Sequence, residues 1–344
     1  MNMAWKEMKK NKVRFLILGS IVLLVSLLTF IISGLANGLS HDNAALIKNL
    51  PDGQFYMTKE ANQTFGLSRI DDSLQDKILS QQKDATALSI QMGFINDAVD
   101  KQQSVAFVTA TDTKLFPKVK RGEIVLDISM KKEGIKVGDT LTNNQLQGEF
   151  TVKGFAEDSK FSHAPVAFIN MDDFKEMYRV TEMQLIFVPG DTNGANFAGL
   201  EAFSQKQFLN TIASYKAEQL SLNMITWFLV VISGMLFAIF FYMMNVQKVG
   251  LYGILKAIGM KTSALFKMMW TQMVLITIIA LSISITLSHT FNTFAPKDIP
   301  FSLTTETTVL LSGVFITIGF IGATLSGIQI KKVEPIQAIQ QGEM

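Results

Sequence analysis

The sequence predicts an α-helical membrane protein with four transmembrane helices and one extracellular α+β domain between the first and second of them. Three observations lead to this fold class. Four apolar runs are each long enough to cross a bilayer. A long, mostly polar region separates the first two runs. Lysine and arginine residues cluster next to the ends of particular apolar runs. The composition agrees, because 48% of the residues are hydrophobic and only 17% are charged.

The central run is Gln219–Gln247, which contains no charged residue. A helix rises about 1.5 Å per residue, and a bilayer core of roughly 30 Å needs about 20 apolar residues. This run exceeds that length and leaves room for tilt. We therefore predict transmembrane helix 2 at 219–247, joining the large polar region to a short basic loop.

The chain begins with a basic segment, residues 1–14, in which Glu7 is the one acid. Transmembrane helix 1 is predicted at 15–36. A secretory signal peptide would have a shorter apolar region and a small-residue cleavage site, so the full-length run favours a retained anchor.

The polar region 37–218 is predicted to fold as the α+β domain. Helical patterns near its start and near its end indicate stalks that continue helices 1 and 2, the second of them over 200–219. Helices are also expected at 73–82, 171–178 and 196–218. Apolar and β-branched clusters predict strands at 86–94, 104–109, 123–128, 148–155, 165–169 and 184–188.

The rest of the chain is predicted as a coupling loop or helix at 248–267, helix 3 at 268–292, a loop at 293–306, helix 4 at 307–330 and a tail at 331–344. Lys248, Lys256, Lys261 and Lys267 lie in the coupling segment without an acid. Lysine and arginine at span ends mark the cytoplasmic side. Both termini and the coupling segment are therefore expected in the cytoplasm, with 37–218 and 293–306 outside a multi-pass cell-membrane protein.

Nothing in the sequence predicts an enzyme or a cofactor of its own. The chain has no cysteine, and His41, His163 and His289 lack ligand spacing. The segment Gly259-Met260-Lys261-Thr262 lacks the second glycine of a phosphate loop. Any ATP-driven step therefore requires a separate ATPase.

The coupling segment carries an apolar stretch interrupted by Gly250, Gly253 and Gly259. It predicts a short helix on the membrane surface that presents itself to a soluble partner. A plain connecting loop is the alternative, but the apolar content is high for a solvated loop.

Four spans with a large outside domain resemble the FtsX/MacB-type permeases of ABC transporters. The resemblance is carried by Leu251–Gly259, by the tail Val333–Ile339, and by Gly122–Asp127 with Ile135–Thr140. It implies a homodimer bound to a separate ABC ATPase dimer. It also implies that the ATPase is contacted through Gly250, Leu251, Gly253, Leu255, Lys256 and Gly259.

A narrower resemblance is to the haem-efflux permeases (HrtB type) of Gram-positive bacteria. It is carried by Ile31–Leu39, Ile212–Gln219, Leu222–Met224, Ile254–Gly259 and Pro300–Thr305. It implies export of surplus haem from the membrane, with the motion relayed through the stalks. Export of a peptide, lipoprotein or drug stays open, as does FtsX-like signalling to a cell-wall hydrolase.

One face of helix 2 has side chains suited to haem, because haem iron accepts methionine or tyrosine and the macrocycle needs an apolar, aromatic slot. Ordinary packing of a methionine stripe is the alternative. Tyr215 and Glu218 are expected at the outer mouth of the slot, and for Glu218 a solvated stalk residue is an equal alternative. The stripe residues are Met224, Phe228, Val231, Met235 and Tyr242, with Ala238 between the last two.

Helix 1 carries small residues at regular spacing. Gly19, Ser26 and Ser33 repeat every seven residues, and Gly34 with Gly38 forms a G-x-x-x-G pattern. Small residues let membrane helices approach closely. They predict a dimer contact that leaves a slot between two copies; packing against the chain's own helices is the alternative.

Overall fold

The structure is a computed structural model that describes residues 2–97, 99–111, 114–145, 148–190, 196–296 and 299–332. The chain divides into two compact units. The first comprises Met1–Gly38 with Leu220–Met344, and the second comprises Leu39–Gln219.

The described residues form nine α-helices. In chain order they are α1 Asn2–Lys10, α2 Lys12–Lys48, α3 Asp72–Gln81, α4 Met171–Tyr178, α5 Gln205–Leu209, α6 Ala213–Val246, α7 Val249–Ala257, α8 Thr262–Phe294 and α9 Thr305–Lys332.

Four of these helices are long and apolar enough to cross a membrane: α2, α6, α8 and α9 over Thr305–Ile328. The fold class predicted from the sequence is confirmed, with a β-rich unit lying in the chain between the first and second spans. Helix α2 ends in the second unit, and helix α6 begins there. Helix α2 departs from helical geometry at Ala44, where φ is −140°.

Polar side chains join the helices of the first unit. Ser26 of α2 lies 2.6 Å from Ser284 of α8 through their hydroxyl oxygens, and the Ser284 hydroxyl also donates to the Leu23 carbonyl at 2.9 Å. Trp270 of α8 donates its indole N–H to Thr324 of α9 at 3.1 Å. In an apolar environment such bonds satisfy groups that no water reaches.

The second unit is built on a mixed sheet. Among the described residues its order is β10-β1-β9-β2-β3-β8-β4-β6-β5, with β7 paired to β8. The pairs β3–β8 and β4–β6 are parallel, and the other pairs are antiparallel. The strands are β1 Gly53–Thr58, β2 Thr86–Asn96, β3 Gln102–Ala110, β4 Glu123–Asp127, β5 Thr140–Thr142, β6 Glu149–Ala156, β7 Lys160–Phe161, β8 Ala164–Ile169, β9 Leu185–Pro189 and β10 Leu200–Ser204.

Six of these strands coincide with the six predicted ones, while β1, β5, β7 and β10 were not predicted. The helix expected at 196–218 is wrong over Leu200–Ser204, which is strand β10. Residues Gln54–Thr58 of β1 pair with that strand in antiparallel register. Local pattern alone favoured a helix there, but a partner strand distant in sequence supplies the backbone hydrogen bonds that stabilise extended structure.

Aromatic packing fills one core of the second unit. The Phe55 ring stacks on Phe208 with centroids 4.3 Å apart, and it also contacts Phe187 at 4.8 Å. All three side chains are completely buried. Helix α5, which carries Phe208, begins with a capping box between Ser204 and Gln207.

Candidate functional site

The predicted stripe on α6 is an uncovered face in the single chain. The side chains of Met224, Phe228, Met235 and Tyr242 are 48–61% exposed, and Val231 is 45% exposed. The opposite face, with Ser233, Phe237, Phe241 and Met244, is buried. The stripe therefore does not serve as packing within one chain.

Helix α6 is also the least covered of the four spans. Only 17% of its most apolar part is buried inside the chain, against 33% for each of α2, α8 and α9. A bilayer or another apolar surface must cover the remainder. The uncovered side chains include thioethers, which can ligate haem iron, and aromatic rings, which can pack on its macrocycle.

The spacing of the two methionines limits how one helix can bind one iron. Met224 and Met235 are separated by about three helical turns, or roughly 16 Å along the axis. The two axial ligands of a haem lie on either side of one iron atom. A single α6 can therefore supply at most one of these methionines to a given haem.

An apolar groove of about 630 Å³ lies between α6 and α9. Trp227 contributes an indole that is 69% exposed, and Asn223 contributes an amide. The hydroxyls of Thr226 and Thr317 donate to carbonyls of their own helices, so they add little polarity. The groove is lined by Asn223, Thr226, Trp227, Val230, Leu310, Leu311, Gly313, Val314, Thr317 and Ile318.

Tyr215 and Glu218 belong to the second unit, where both make internal contacts. The Glu218 carboxylate accepts from the Asn43 amide at 2.7 Å and lies 2.9 Å from Nε2 of His163. Its side chain is only 15% exposed, so the solvated-residue interpretation is wrong. Ser40 donates to the Tyr215 hydroxyl at 3.3 Å, and the Lys48 ammonium lies 5.3 Å from the centre of its ring.

Most of the small residues of α2 pack against the chain itself. Ser26 and Ser33 are buried. A Cβ on Gly34 would lie 2.4 Å from the Phe301 ring, and one on Gly38 would lie 2.0 Å from the Pro300 carbonyl oxygen. Ser26 thus meets this chain's own α8, and Gly34 and Gly38 meet the residues before α9, which favours the alternative of packing within the chain. Gly19 is half-buried and faces Ile276 at an ordinary 3.7 Å.

The coupling segment contains helix α7, whose two faces differ. Tyr252, Gly253 and Leu255 are buried in the first unit. Leu251 is 44% exposed and Ile254 is 52% exposed, and Ile258, directly after the helix, is 73% exposed. Gly253 and Leu255 were expected to contact the ATPase, but both are buried within the chain and do not belong to its exposed face.

Three of the other expected contacts lie on accessible parts of this segment. Gly250 and Lys256 are half-buried, and Gly259 is exposed with a φ of +89°, a left-handed conformation that favours glycine. Ile254 and Ile258 were not selected from the sequence. Helical spacing from Leu251 would have identified both.

Known proteins resemble both halves of the chain. Residues 223–335 match the model of the FtsX-like permease C-terminal domain. A Staphylococcus haemolyticus protein with the provisional name hemin transport system permease protein HrtB is 31% identical over 353 residues, covering 98% of this chain and 99% of that protein.

This chain belongs to the HrtB family of FtsX-like permeases. A Staphylococcus epidermidis protein of the same provisional name is 27% identical, and the match covers both chains completely. Among solved structures, the periplasmic region of MacB from Actinobacillus actinomycetemcomitans is similar with a TM-score of 0.36 and 11% identity. That match covers 46% of this chain and 92% of that one.

The family accounts for the architecture of this permease. Its four spans and its β-rich unit are the parts of an ABC transporter permease subunit, and residues 223–335 include α7 together with two complete spans. The tail motif Val333–Ile339, which contributed to the resemblance, lies outside the described residues.

Proposed function

We propose that this permease exports haem from the membrane, driven by a separate ABC ATPase. The observation that carries the proposal is the full-length match to relatives named as hemin transport permeases. The uncovered α6 face supports it physically, because it exposes thioether and aromatic groups that a lipid-soluble macrocycle could contact. The protein moves haem as cargo and has no cofactor of its own.

The proposed orientation places both termini and α7 in the cytoplasm and Leu39–Gln219 outside the cell. Lys6, Lys9, Lys10, Lys12 and Arg14 at the start of the chain support it. Lys261, between α7 and α8, and Lys267, near the start of α8, support it in the same way. Lysine and arginine are retained on the cytoplasmic side of short loops.

Two copies of the chain are proposed to form the pump. One α6 supplies at most one of the two stripe methionines, Met224 and Met235, to an iron, so a second copy is needed if two such ligands hold the haem. The uncovered faces of two α6 helices would then form the walls of the slot, with Met224 or Met235 nearest the iron. Ser26, Ser33, Gly34 and Gly38 are buried within the single chain, so this proposed interface does not include them.

The ATPase is proposed to bind the exposed face formed by Leu251, Ile254 and Ile258. Replacing Ile254 with Asp should abolish co-purification of the ATPase, because a desolvated carboxylate cannot replace an apolar contact. Ile254→Val is the matched control and should retain binding. An ATPase that still co-purifies with Ile254→Asp at wild-type yield would contradict this docking face.

Haem as cargo is tested by deleting the gene and by spectroscopy. Cells without the protein should become sensitive to haem, and protein purified from haem-fed cells should carry a Soret absorption band. Unchanged haem sensitivity together with no Soret band would refute the cargo proposal. The family membership would stand, and another amphiphile or a signalling role would become the better hypothesis.

A further inference from the structure

A buried ion pair lies at the start of α7. The ammonium of Lys248, the residue that caps this helix, lies 2.5 Å from one carboxylate oxygen of Glu7 in α1. The Lys248 side chain is 5% exposed and the Glu7 side chain 11% exposed. Charges so removed from water are tolerated only when they are paired, so each residue fixes the position of the other.

Neighbouring helices complete the surroundings of the pair. Gln272 of α8 donates its amide to the second carboxylate oxygen of Glu7 at 2.7 Å. The Phe15 ring of α2 lies 5.2 Å from the Lys248 ammonium, a cation–π distance. Residues of α2 and α8 therefore enclose the ion pair that joins α1 to the start of α7.

A second anchor holds α7 one turn further along. The Tyr252 hydroxyl donates to the Asn245 amide oxygen at 3.0 Å, and the Asn245 amide nitrogen donates to Ser326 of α9 at 2.8 Å. Burial, together with the charge of Glu7, raises the pKa of Tyr252. The phenol therefore stays protonated and keeps its donor role. Helix α7 is thus tied to α1 and α8 at its start, and to α6 and α9 through Tyr252.

We propose that Glu7 is a positioning residue: its pairing with Lys248 fixes the start of α7, so that displacement of the exposed face of α7 moves the helix bundle rather than α7 alone. The use of this linkage in transport rests on the proposed function, because it requires an ATPase bound at α7. The mechanical linkage itself does not depend on the cargo. The sequence signal was Glu7, the one acid in a basic segment, placed on the same helical face as the buried Ala4.

The decisive variant is the double neutral replacement Glu7→Gln with Lys248→Met. It removes both charges and leaves no unpaired buried ion, so it should fold and retain the ATPase. In nanodiscs, ATP hydrolysis should stay at the wild-type level while export per ATP falls about 2- to 30-fold, the range for broken coupling between distant sites. The charge swap Glu7→Lys with Lys248→Glu should restore export, and the exposed control Lys9→Gln should change nothing.

A second measurement is independent of haem and of the ATPase. Because the chain has no cysteine, spin labels on Lys9→Cys and Ala257→Cys report the α1–α7 distance without background. We expect a narrow distribution in the otherwise wild-type protein and a broad one in the double neutral variant. Equal distributions, or wild-type export per ATP in that variant, would overturn the proposal. If neither the wild type nor any variant exports haem, but the α1–α7 distance distributions are as expected, only the haem function is refuted.

Discussion

The replacement of Gly38 by Ala separates two interpretations of the G-x-x-x-G pattern on α2. If the pattern packs against this chain, a methyl group at residue 38 must displace backbone. The added Cβ would lie 2.0 Å from the Pro300 carbonyl oxygen and 2.7 Å from the Phe301 nitrogen. The surrounding segment is held by a hydrogen bond from the Ser302 amide to the Gly34 carbonyl at 2.9 Å, so it has limited freedom to retreat.

The expected magnitude follows from two opposing terms. Overpacking costs about 1–3 kcal/mol. Alanine in place of glycine inside a helix stabilises by about 0.5–1 kcal/mol. We therefore expect Gly38→Ala to lower the free energy of unfolding by about 1 kcal/mol, the middle of the first range less the middle of the second.

Gly19→Ala in the same helix is the matched control. The nearest heavy atom to its added Cβ is 3.7 Å away, which is an ordinary contact. Only the stabilisation of the helix by alanine therefore applies. This variant should be more stable by about 0.5–1 kcal/mol. The two variants are thus expected to shift stability in opposite directions.

Thermal unfolding in a single detergent, followed by tryptophan fluorescence, gives the order of the midpoints. The expected order is Gly19→Ala above wild type above Gly38→Ala. A Gly38→Ala midpoint at or above that of wild type would refute the packing argument. Loss of dimer cross-linking in that variant without loss of stability would instead place the pattern between two copies.

Three further predictions follow from the two units. Met235→Ala should shift the Soret band of haem-loaded protein if the thioether is an iron ligand, and an identical spectrum would remove Met235 from the site. Phe208→Ala should destabilise the chain by about 3–5 kcal/mol because it empties a fully buried position stacked on Phe55; an unchanged thermal midpoint would contradict this. Burial acts to raise the pKa of Asp158, but hydrogen bonds from His41 and Asn49, together with nearby positive charge including Lys160, outweigh it and lower that pKa. The pKa of Asp158 in the folded protein thus lies below its value of about 3.9 in the unfolded chain. The stabilisation that Asp158 contributes is therefore present above about pH 3.9 and is lost as the pH falls through the folded pKa. Asp158→Asn should therefore unfold with a shallower dependence on pH below about 4, and an unaltered acid-unfolding curve would be evidence against the His41 pairing.

The sequence by itself determined the membrane class, the four spans and the strands with strong β-branched patterns. Length and apolar content suffice for a span, because the bilayer imposes one thickness on every helix. Strands such as β2 and β3 were predictable because their residues have a high strand propensity. Strand β10 was not, because its extended form depends on pairing with β1, far away in the chain.

Only the tertiary structure decided which side of each membrane helix is covered. In a soluble helix the apolar face marks the core, but in α2 and α6 every face is apolar, so periodicity does not distinguish lipid from protein. For this reason Ser26 could be read as a dimer contact although it bonds to Ser284 within the chain. The same limit applied to Leu255 and Ile254 on α7. Both are apolar, but Leu255 is buried and Ile254 is exposed. The pairing of Glu7 with Lys248 likewise required the folded chain, because attraction between two charges depends on distance in space and not on separation in sequence.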